Sequence, residues 1–392
     1  MMKHLFTLTA IAIGCAFWAC DNGTAALPEY KGSDQPSNTR QIIPVDYTAG
    51  RTMNALLGRG INLGNAWESE GSDDNGWGNP IRDKDFAIIK AAGFNSVRIP
   101  VRWDQDADKT THFVNANRLQ GVMEDIQLAI ANNLPVVVNF HHYDSLNCAG
   151  GGGSRWNPET QKSEKCLFNA AKFQEEKTHF LGMWNHVAST LNAFPDNMVV
   201  LEILNEPSIP YDTIVDQLMN DAYTVIRAAA PGKTIMFESY HMAKFGDLPS
   251  LHLPADGNII FSGHFYQPYT YTHQGHGYDC RGDAAKAIVA PDSMKYYNQQ
   301  ALRLYPDING VDHVPLNMGE FGVAGGDAGQ YTCGKEGPSN EGKAEWAMKT
   351  AQAAIANGIS FHYCGFGKTG GFDAYDVDAE AWFPGFPDAL IK

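Results

Sequence analysis

Two glutamates stand where apolar segments typical of buried strands come to an end. Glu206 closes Leu-Glu-Ile-Leu-Asn-Glu-Pro (201–207), and Glu320 lies in Asn-Met-Gly-Glu-Phe-Gly (317–322). Pro207 ends strand hydrogen bonding after the first glutamate, and flanking glycines allow a tight turn around the second. A capped strand end or a salt bridge would explain either glutamate alone. Together they suit cleavage of a glycosidic bond, in which one carboxyl protonates the leaving oxygen and the other attacks the anomeric carbon.

Polar side chains end nearly all the other candidate strands as well. They are Asn65, Arg98, His141, His142, Asn205, His264 and Tyr266. Asn205 is suited to hydrogen-bond a sugar hydroxyl, and the charge of Arg98 would keep a neighbouring carboxylate ionised. We interpret these residues as a shell that binds sugar and supports the two carboxyl groups, with Tyr266 close to the attacking one.

His141, His142 and His264 also suggest a metal centre, because histidine and carboxylate side chains together bind zinc in many hydrolases. However, the chain has no HExxH motif, no His-x-His at a strand end and no acidic cluster around these histidines. We therefore expect no metal and no cofactor, and assign the histidines to hydrogen bonding.

The elements that would position these residues alternate along the chain. Strands are predicted at 60–64, 96–100, 135–140, 198–204, 234–237, 258–264, 314–319 and 359–363, and helices between them at 84–92, 118–132, 171–191, 214–229, 293–304 and 341–357. Eight strands with intervening helices favour an α/β fold, a closed (β/α)8 TIM barrel. In such a barrel all the strand ends named above meet at one face.

The amino terminus and the charge bear on where the protein acts. The chain has 392 residues and a formal net charge of -15, which argues against nucleic acid as a partner. Residues 1–20 are typical of a signal peptide, and Cys20 resembles a lipidation site, so we expect a secreted or cell-surface protein with possible outer-membrane anchoring, against the alternative of cleavage without lipid. Residues 21–50 are interpreted as a polar tether, and 51–392 as the catalytic domain. We expect a monomer.

Apart from Cys20 and Cys15, the second candidate for lipidation, five cysteines allow two disulfides in an oxidising compartment and leave one thiol over. Cys148 and Cys166 bracket a glycine-rich stretch in which a crosslink would stabilise a flexible loop, so they form the first predicted pair. Cys280 and Cys333 would lie in neighbouring loops of the barrel and form the second. No CxxC spacing supports metal binding instead.

Over about residues 56–392 the chain resembles glycoside hydrolase family 5, the cellulase family of clan A. The resemblance implies that Glu206 is the general acid/base and Glu320 the nucleophile, that Asn205 contacts the sugar 2-hydroxyl, and that Arg98, His141, His264 and Tyr266 support them. Its motifs, in family order, are Gly-Arg-Gly-Ile-Asn-Leu-Gly-Asn-Ala-Trp-Glu (58–68), Gly-Trp-Gly-Asn-Pro (76–80), Ala-Gly-Phe-Asn-Ser-Val-Arg-Ile-Pro-Val-Arg-Trp (92–103), Leu-Asn-Glu-Pro (204–207) and Gly-Glu-Phe-Gly (319–322).

One departure concerns the eighth strand, where the family usually supplies a Trp beneath the sugar and this chain has Cys364. Tyr363, Phe366 and Trp346 are candidates to replace its stacking face, with core packing as the alternative for each. Trp67 is predicted to bind substrate, Trp77, Trp103 and Trp156 are further candidates to line a groove, and Trp184 is expected in the core.

The resemblance implies a retaining endo-β-1,4-glucanase of the cellulase type that acts on β-glucan. Two alternatives stay open. The first is a β-mannanase or xyloglucanase on the same scaffold, because a change of backbone sugar alters few contacts. The second is a surface lipoprotein that binds polysaccharide without cleaving it, which is suggested by the missing Trp.

Overall fold

The structure, a computed structural model, describes residues 42–71, 73–273, 290–325, 338–369 and 371–392. The predicted signal peptide, most of the tether, Cys20, Cys280 and Cys333 lie outside these residues. Among the described helices, none combines the length and the apolar character that crossing a bilayer requires.

Eight parallel strands close into a barrel. This confirms the predicted (β/α)8 TIM barrel, and each predicted strand is present with its ends shifted by at most two residues. The barrel strands are β1 (Arg59–Asn62), β2 (Ser96–Ile99), β3 (Val136–Asn139), β6 (Val199–Glu202), β7 (Thr234–Glu238), β8 (Ile259–Phe265), β9 (Leu316–Phe321) and β10 (Ser360–Tyr363). Around the barrel they follow the order β1-β10-β9-β8-β7-β6-β3-β2.

Helices follow the strands and pack around the barrel, and the main hydrophobic core lies between the two layers. The helices are α1 (Thr48–Leu57), α2 (Asp83–Ala92), α3 (Ala116–Ala131), α4 (Asp144–Ala149), α5 (Ala170–Leu191), α6 (Asp212–Ala229), α7 (Tyr240–Ala243), α8 (Tyr269–Thr272), α9 (Ala290–Leu304), α10 (Asn340–Ala356) and α11 (Asp388–Ile391), with a 3-10 turn at Phe245–Ser250. Two small antiparallel pairs, β4 (Ser154–Asn157) with β5 (Lys162–Lys165) and β11 (Tyr375–Asp376) with β12 (Ala381–Trp382), lie outside the barrel.

The end of the predicted tether belongs to the folded domain, which corrects the boundary expected at residue 50. The Val45 amide donates to the Pro306 carbonyl, and the Tyr47 side chain is buried. Helix α1 then begins at Thr48 and contacts β8 and β10. Residues 42–47, Ile-Ile-Pro-Val-Asp-Tyr, are too few to show a helical or strand period, and the polar residues before them indicated a linker.

The interior of the barrel has two chemically different halves. Near the amino-terminal ends of the strands, an apolar cluster combines two residues of α1, Met53 and Leu57, with four inward residues of the strands, which are Val137, Val200, Met236 and Ile260. Side chains two positions along a strand point to the same side of the sheet. The next inward residues on three of these strands are therefore Asn139, Glu202 and Glu238, and all three are buried and polar.

Candidate active site

Arg98 lies at the centre of the carboxyl ends of the strands and is fully buried at the end of β2. Its guanidinium binds Glu202 through two hydrogen bonds of 2.7 and 2.8 Å, donates to Asn205 Oδ1 at 2.6 Å, and donates to Glu320 Oε1 at 2.8 Å. A further bond of 2.8 Å goes to Asn62 Oδ1 on β1. One planar cation thus links four strands, because guanidinium donors match carboxylate and amide oxygens in a fixed geometry.

Glu320 lies on β9 next to a register shift between β8 and β9, which turns its side chain into the mouth of the barrel. Arg98 donates to Oε1, and the Tyr266 hydroxyl donates to Oε2 at 3.0 Å. Burial alone would raise the pKa of Glu320, but the positive charges of His264 and Arg98 outweigh it and lower the pKa. Glu320 is therefore held as a carboxylate.

Glu206 follows β6 with a backbone φ of 45°, a left-handed conformation that is strained for a residue with a side chain. Its Oε1 lies 2.8 Å from His264 Nδ1, and its backbone amide donates to Glu238 Oε2 at 2.7 Å. Burial raises the pKa of the Glu206 carboxyl, and the contact with His264 opposes this only in part. The two glutamates thus have pKa values displaced in opposite directions.

Four carboxyl groups share this pocket with two cations. The carboxyl groups are Glu202, Glu206, Glu238 and Glu320, and the cations are Arg98 and His264. Burial raises the pKa of Glu238 to about 8, whereas Arg98 lowers the pKa of Glu202 to about 2 against the effect of burial. Glu202 is therefore held as a carboxylate beside Arg98, and burial favours the protonated form of Glu238.

Glu206, His264 and Glu320 bring one potential ligand atom each to within 4.8 Å of one another. A metal ion would need a lone pair from the imidazole. Burial tends to lower the pKa of His264, but Glu238 and Glu320 raise it well above its ordinary value, so the ring is an imidazolium. Its Nδ1 faces Glu206, and its Nε2 lies 3.0 Å from Glu238. The imidazolium thus supplies the positive charge that these carboxyl groups face.

His141 and His142 also reach the mouth of the barrel. The His141 ring is buried beside Asn139, and burial lowers its pKa well below the ordinary range, so it is neutral. His142 has a φ of 52° and lies 6.0 Å, ring to ring, from Trp77, a half-exposed residue whose indole donates to Glu70. His141 and His142 line the same side of the opening.

Two predicted substrate-binding residues have structural contacts instead. Trp67 is buried: its indole nitrogen donates to Asp125 Oδ2 at 2.6 Å, and Arg118 lies over the ring. The expectation that Trp67 binds sugar is thereby corrected, since no open face is left for stacking. Asn65 donates to the Lys368 carbonyl at 2.8 Å and so ties two loops together.

The other tryptophans divide between core and surface. Trp103 and Trp184 are fully buried, and each indole donates to a backbone carbonyl of a neighbouring strand. Trp103 is therefore no part of a groove, whereas Trp184 lies in the core as expected. Trp156 is exposed on the β4 strand of the small hairpin.

Cys364 has a free thiol at the end of β10, beside Tyr266 and within the electrostatic field of Glu320. Burial raises the pKa of this thiol well above its ordinary value, so it is uncharged. The three aromatic residues considered as replacements for a stacking Trp are all buried in the core, namely Tyr363, Phe366 and Trp346. None of them can present a ring face to a sugar from there.

Sequence reasoning missed two carboxyl groups of the site. Glu202 lies inside the very motif that contains Glu206, and Glu238 lies one residue beyond the predicted end of its strand. The sequence did contain a signal for them. Each acid stands two residues after an apolar residue on a strand that is buried on both faces, so it points to the same side of the sheet as that residue, into the barrel. Only the closed barrel places them around Arg98.

The first predicted disulfide is present, between Cys148 and Cys166, with a sequence separation of 18. It joins the end of α4 to the segment after the β4–β5 hairpin. The loop that it closes packs against the chain just after Glu206, since Gly152 lies against Ser208 and Gly150 against Ile209. Helix α4 joins this contact, because the Ser208 amide donates to Asn147 Oδ1 at 3.1 Å.

Comparison with known proteins identifies a family and several relatives of this chain. Residues 58–367 match the model of the family "Cellulase (glycosyl hydrolase family 5)". Endoglucanase H of Acetivibrio thermocellus is 24% identical over 275 residues, which cover 68% of this chain and 26% of that protein. Endoglucanase B of Clostridium cellulovorans is 26% identical over 263 residues, which cover 61% of this chain and 55% of that protein. The matches thus span from about a quarter to about half of these relatives.

Solved structures with the same fold include Thermotoga maritima Cel5A in complex with mannotriose, which is 27% identical and superimposes with a TM-score of 0.69 over 87% of this chain and 100% of that one. The same protein has been solved with cellobiose, with the same identity, coverage and TM-score. The family model covers most of the chain, and the barrel agrees with it. The chain belongs to glycosyl hydrolase family 5, the cellulase family.

Proposed function

We propose that the protein is a retaining endo-β-1,4-glucanase in which Glu206 is the general acid/base and Glu320 the nucleophile. The observation that carries this proposal is the close approach of two carboxyl groups with opposite pKa shifts. One oxygen of each lies within 4.8 Å of the other. Retention requires carboxyl groups roughly 5 to 5.5 Å apart, whereas inversion requires about 6.5 to 9.5 Å to admit a water. The spacing therefore supports retention.

The reaction assigns one task to each side chain. The Glu206 proton passes to the glycosidic oxygen as the bond from that oxygen to the anomeric carbon breaks, and a Glu320 oxygen forms the new bond to that carbon. Water then enters, gives a proton to Glu206 and releases the sugar from Glu320. Burial raises the pKa of Glu206 and so favours the protonated form that the first step needs, whereas His264 and Arg98 lower the pKa of Glu320 and favour its ionised form.

The amide of Asn205 supports binding of the sugar next to the scissile bond. Arg98 binds its oxygen at 2.6 Å, which fixes the orientation of the side chain. The amide nitrogen is then the donor that can face the 2-hydroxyl of the sugar, a contact that strengthens in the transition state.

The test measures reducing ends released from carboxymethylcellulose, mixed-linkage glucan, xyloglucan and mannan by the chain without residues 1–20. We expect release from glucans and a loss of about 10³-fold or more for Glu320→Gln, with about 10²- to 10⁴-fold for Glu206→Gln. Glutamine keeps the shape of each side chain but can neither attack nor donate an acidic proton. Binding of glucan without any release by the unaltered chain would refute the proposal in favour of a binding protein.

Mannan is a second candidate substrate, because the related Thermotoga maritima protein has been solved with both mannotriose and cellobiose. Glucose and mannose differ only in the orientation of the 2-hydroxyl, which Asn205 would face. The ratio of kcat/KM on glucan to that on mannan decides between them. A ratio below one would replace glucanase by mannanase without changing the mechanism.

We also propose that the protein is exported and anchored by lipid on Cys20, and that Cys280 pairs with Cys333. Radiolabelled palmitate should enter the full chain but not the Cys20→Ser variant, and fractionation should move that variant out of the membrane fraction. Equal labelling of both would refute the anchor. Mass mapping of non-reduced peptides tests the second disulfide.

A further inference from the structure

Glu238 is fully buried at the end of β7, and the reaction described above assigns it no task. It lies two residues after Met236 on the same strand, so its side chain points into the barrel toward the mouth. A buried carboxyl group is unfavourable unless it makes specific contacts. Its contacts show what it does.

The first contact is to the backbone of the proposed acid/base. Glu238 Oε2 accepts the amide hydrogen of Glu206 at 2.7 Å. That amide belongs to a residue with a φ of 45°, a conformation that persists only where the surroundings impose it. On the other side, the amide of Asn205 donates to the Phe140 carbonyl at 2.9 Å. The turn that carries Glu206 is thus held from β3 and from β7.

The second contact reaches the side chain of the same residue through His264. Glu238 Oε1 lies 3.0 Å from His264 Nε2, and His264 Nδ1 lies 2.8 Å from Glu206 Oε1. A single carboxyl group therefore accepts a hydrogen bond from the backbone of Glu206 and lies against the ring that contacts its carboxyl. Removing either contact would leave the carboxyl free to rotate away from the glycosidic oxygen.

We propose that Glu238 is a positioning residue that aligns Glu206 for proton transfer to the leaving group. The inference rests on the proposed function, because it presupposes that Glu206 protonates a glycosidic oxygen. It predicts a defect confined to substrates whose leaving group needs that proton.

A purely structural role would have a different signature. Glu238 also faces Arg98, with 3.9 Å between Oε1 and the guanidinium, and Glu202. Loss of these contacts would disturb the nucleophile through Arg98 and so slow all substrates alike. The dependence of the rate on the leaving group separates the two roles.

The experiment compares two aryl β-cellobiosides with the full chain and its Glu238→Gln variant. Dinitrophenolate leaves without a proton, whereas an unsubstituted phenolate needs one. For Glu238→Gln we expect kcat/KM to fall by about 10²-fold on the phenyl substrate and by less than about 3-fold on the dinitrophenyl substrate. The quantity kcat/KM reports the step in which the leaving group departs. Glutamine keeps the volume and one acceptor but presents an amide hydrogen to His264.

Glu345→Gln, on the exposed face of α10, is the matched control and should leave both rates unchanged. Equal losses of Glu238→Gln on both substrates would overturn the inference and leave the proposed function intact. No turnover of either substrate by the unaltered chain would refute the proposed function itself. If Glu238→Gln does not fold, as judged by circular dichroism, Glu238→Asp provides the same comparison, because it keeps the carboxyl group and withdraws its reach to Glu206.

Discussion

The two halves of the barrel interior are built from the same strands but follow opposite chemistry. At the amino-terminal ends, Val200 and Met236 pack with residues of α1 in an apolar cluster. Two residues further along the same strands, Glu202 and Glu238 surround Arg98 in a buried network of charges. A step of about 7 Å along a strand therefore leads from a hydrophobic core to a cluster of ionisable side chains.

The difference shows how stability and chemistry are separated in this fold. In the lower half of the barrel, at the amino-terminal ends of the strands, apolar burial contributes stability without regard to orientation. In the upper half, at the carboxyl ends, charges are held in fixed positions by strong hydrogen bonds, but their desolvation is unfavourable. Strained backbones gather at the same end, at Asn65, His142 and Glu206. The lower half thus stabilises a geometry that the upper half would not keep by itself.

The largest effect is expected from Arg98→Met, which removes the central cation of the upper half. Removing the cation leaves buried carboxylates unpaired, so the free energy of unfolding should fall by about 3–5 kcal/mol. Hydrolysis should be lost as well, because Glu320 loses its hydrogen-bond donor. Urea unfolding and reducing-end release measure the two effects. Arg155→Met, on the exposed hairpin, is the control and should change stability by less than about 0.5 kcal/mol.

Met236→Ala should damage only the lower half. Truncating this fully buried side chain leaves a cavity beneath the charged network and should lower the free energy of unfolding by about 2–5 kcal/mol. At temperatures where the variant is folded, kcat/KM should stay within about twofold of the unaltered chain. A selective fall in activity without a loss of stability would contradict the separation of the two halves.

Replacing Cys148 and Cys166 by serine tests the loop above the barrel. Opening a loop of this size should lower the free energy of unfolding by up to about 3 kcal/mol. Because the loop packs beside Ser208, a rise in KM for long glucans is also expected. Thermal unfolding in non-reducing buffer and kinetics on cello-oligosaccharides of increasing length measure both. An unchanged midpoint would show that the disulfide does not stabilise the domain.

The smallest expected effect is a dependence of the free energy of unfolding on pH, which arises in the upper half of the barrel. Burial raises the pKa of Glu68, near the mouth, from 4.5 to about 7. The folded state then binds a proton more tightly than the unfolded state. The stabilisation is complete below pH 4.5 and decreases as the pH rises, by about 1 kcal/mol between pH 6 and 7. Glu68→Gln should flatten this slope in urea titrations, and an unchanged slope would assign it to other groups.

The secondary structure and the two key carboxyl groups could be predicted because they follow from local patterns. Continuous apolar runs such as Val136–Asn139 are typical of parallel strands buried on both faces. Glu206 and Glu320 were recognisable because each interrupts such a run beside a proline or glycine. Helix α1 and the buried residue Tyr47 were not predicted, although α1 is amphipathic, because the polar, proline-containing segment before them was interpreted as a linker.

The sequence by itself determined the barrel, since alternating apolar strands and amphipathic helices bury their surfaces in few other ways. It also determined the two glutamates at the strand ends. Only the tertiary structure decided that Glu202 and Glu238 surround Arg98, and that Trp67 and Trp103 lie in the core. Whether a charged or aromatic side chain serves a site or the core depends on partners far away in the chain. Strand closure brings those partners within hydrogen-bond distance, and no local pattern records them.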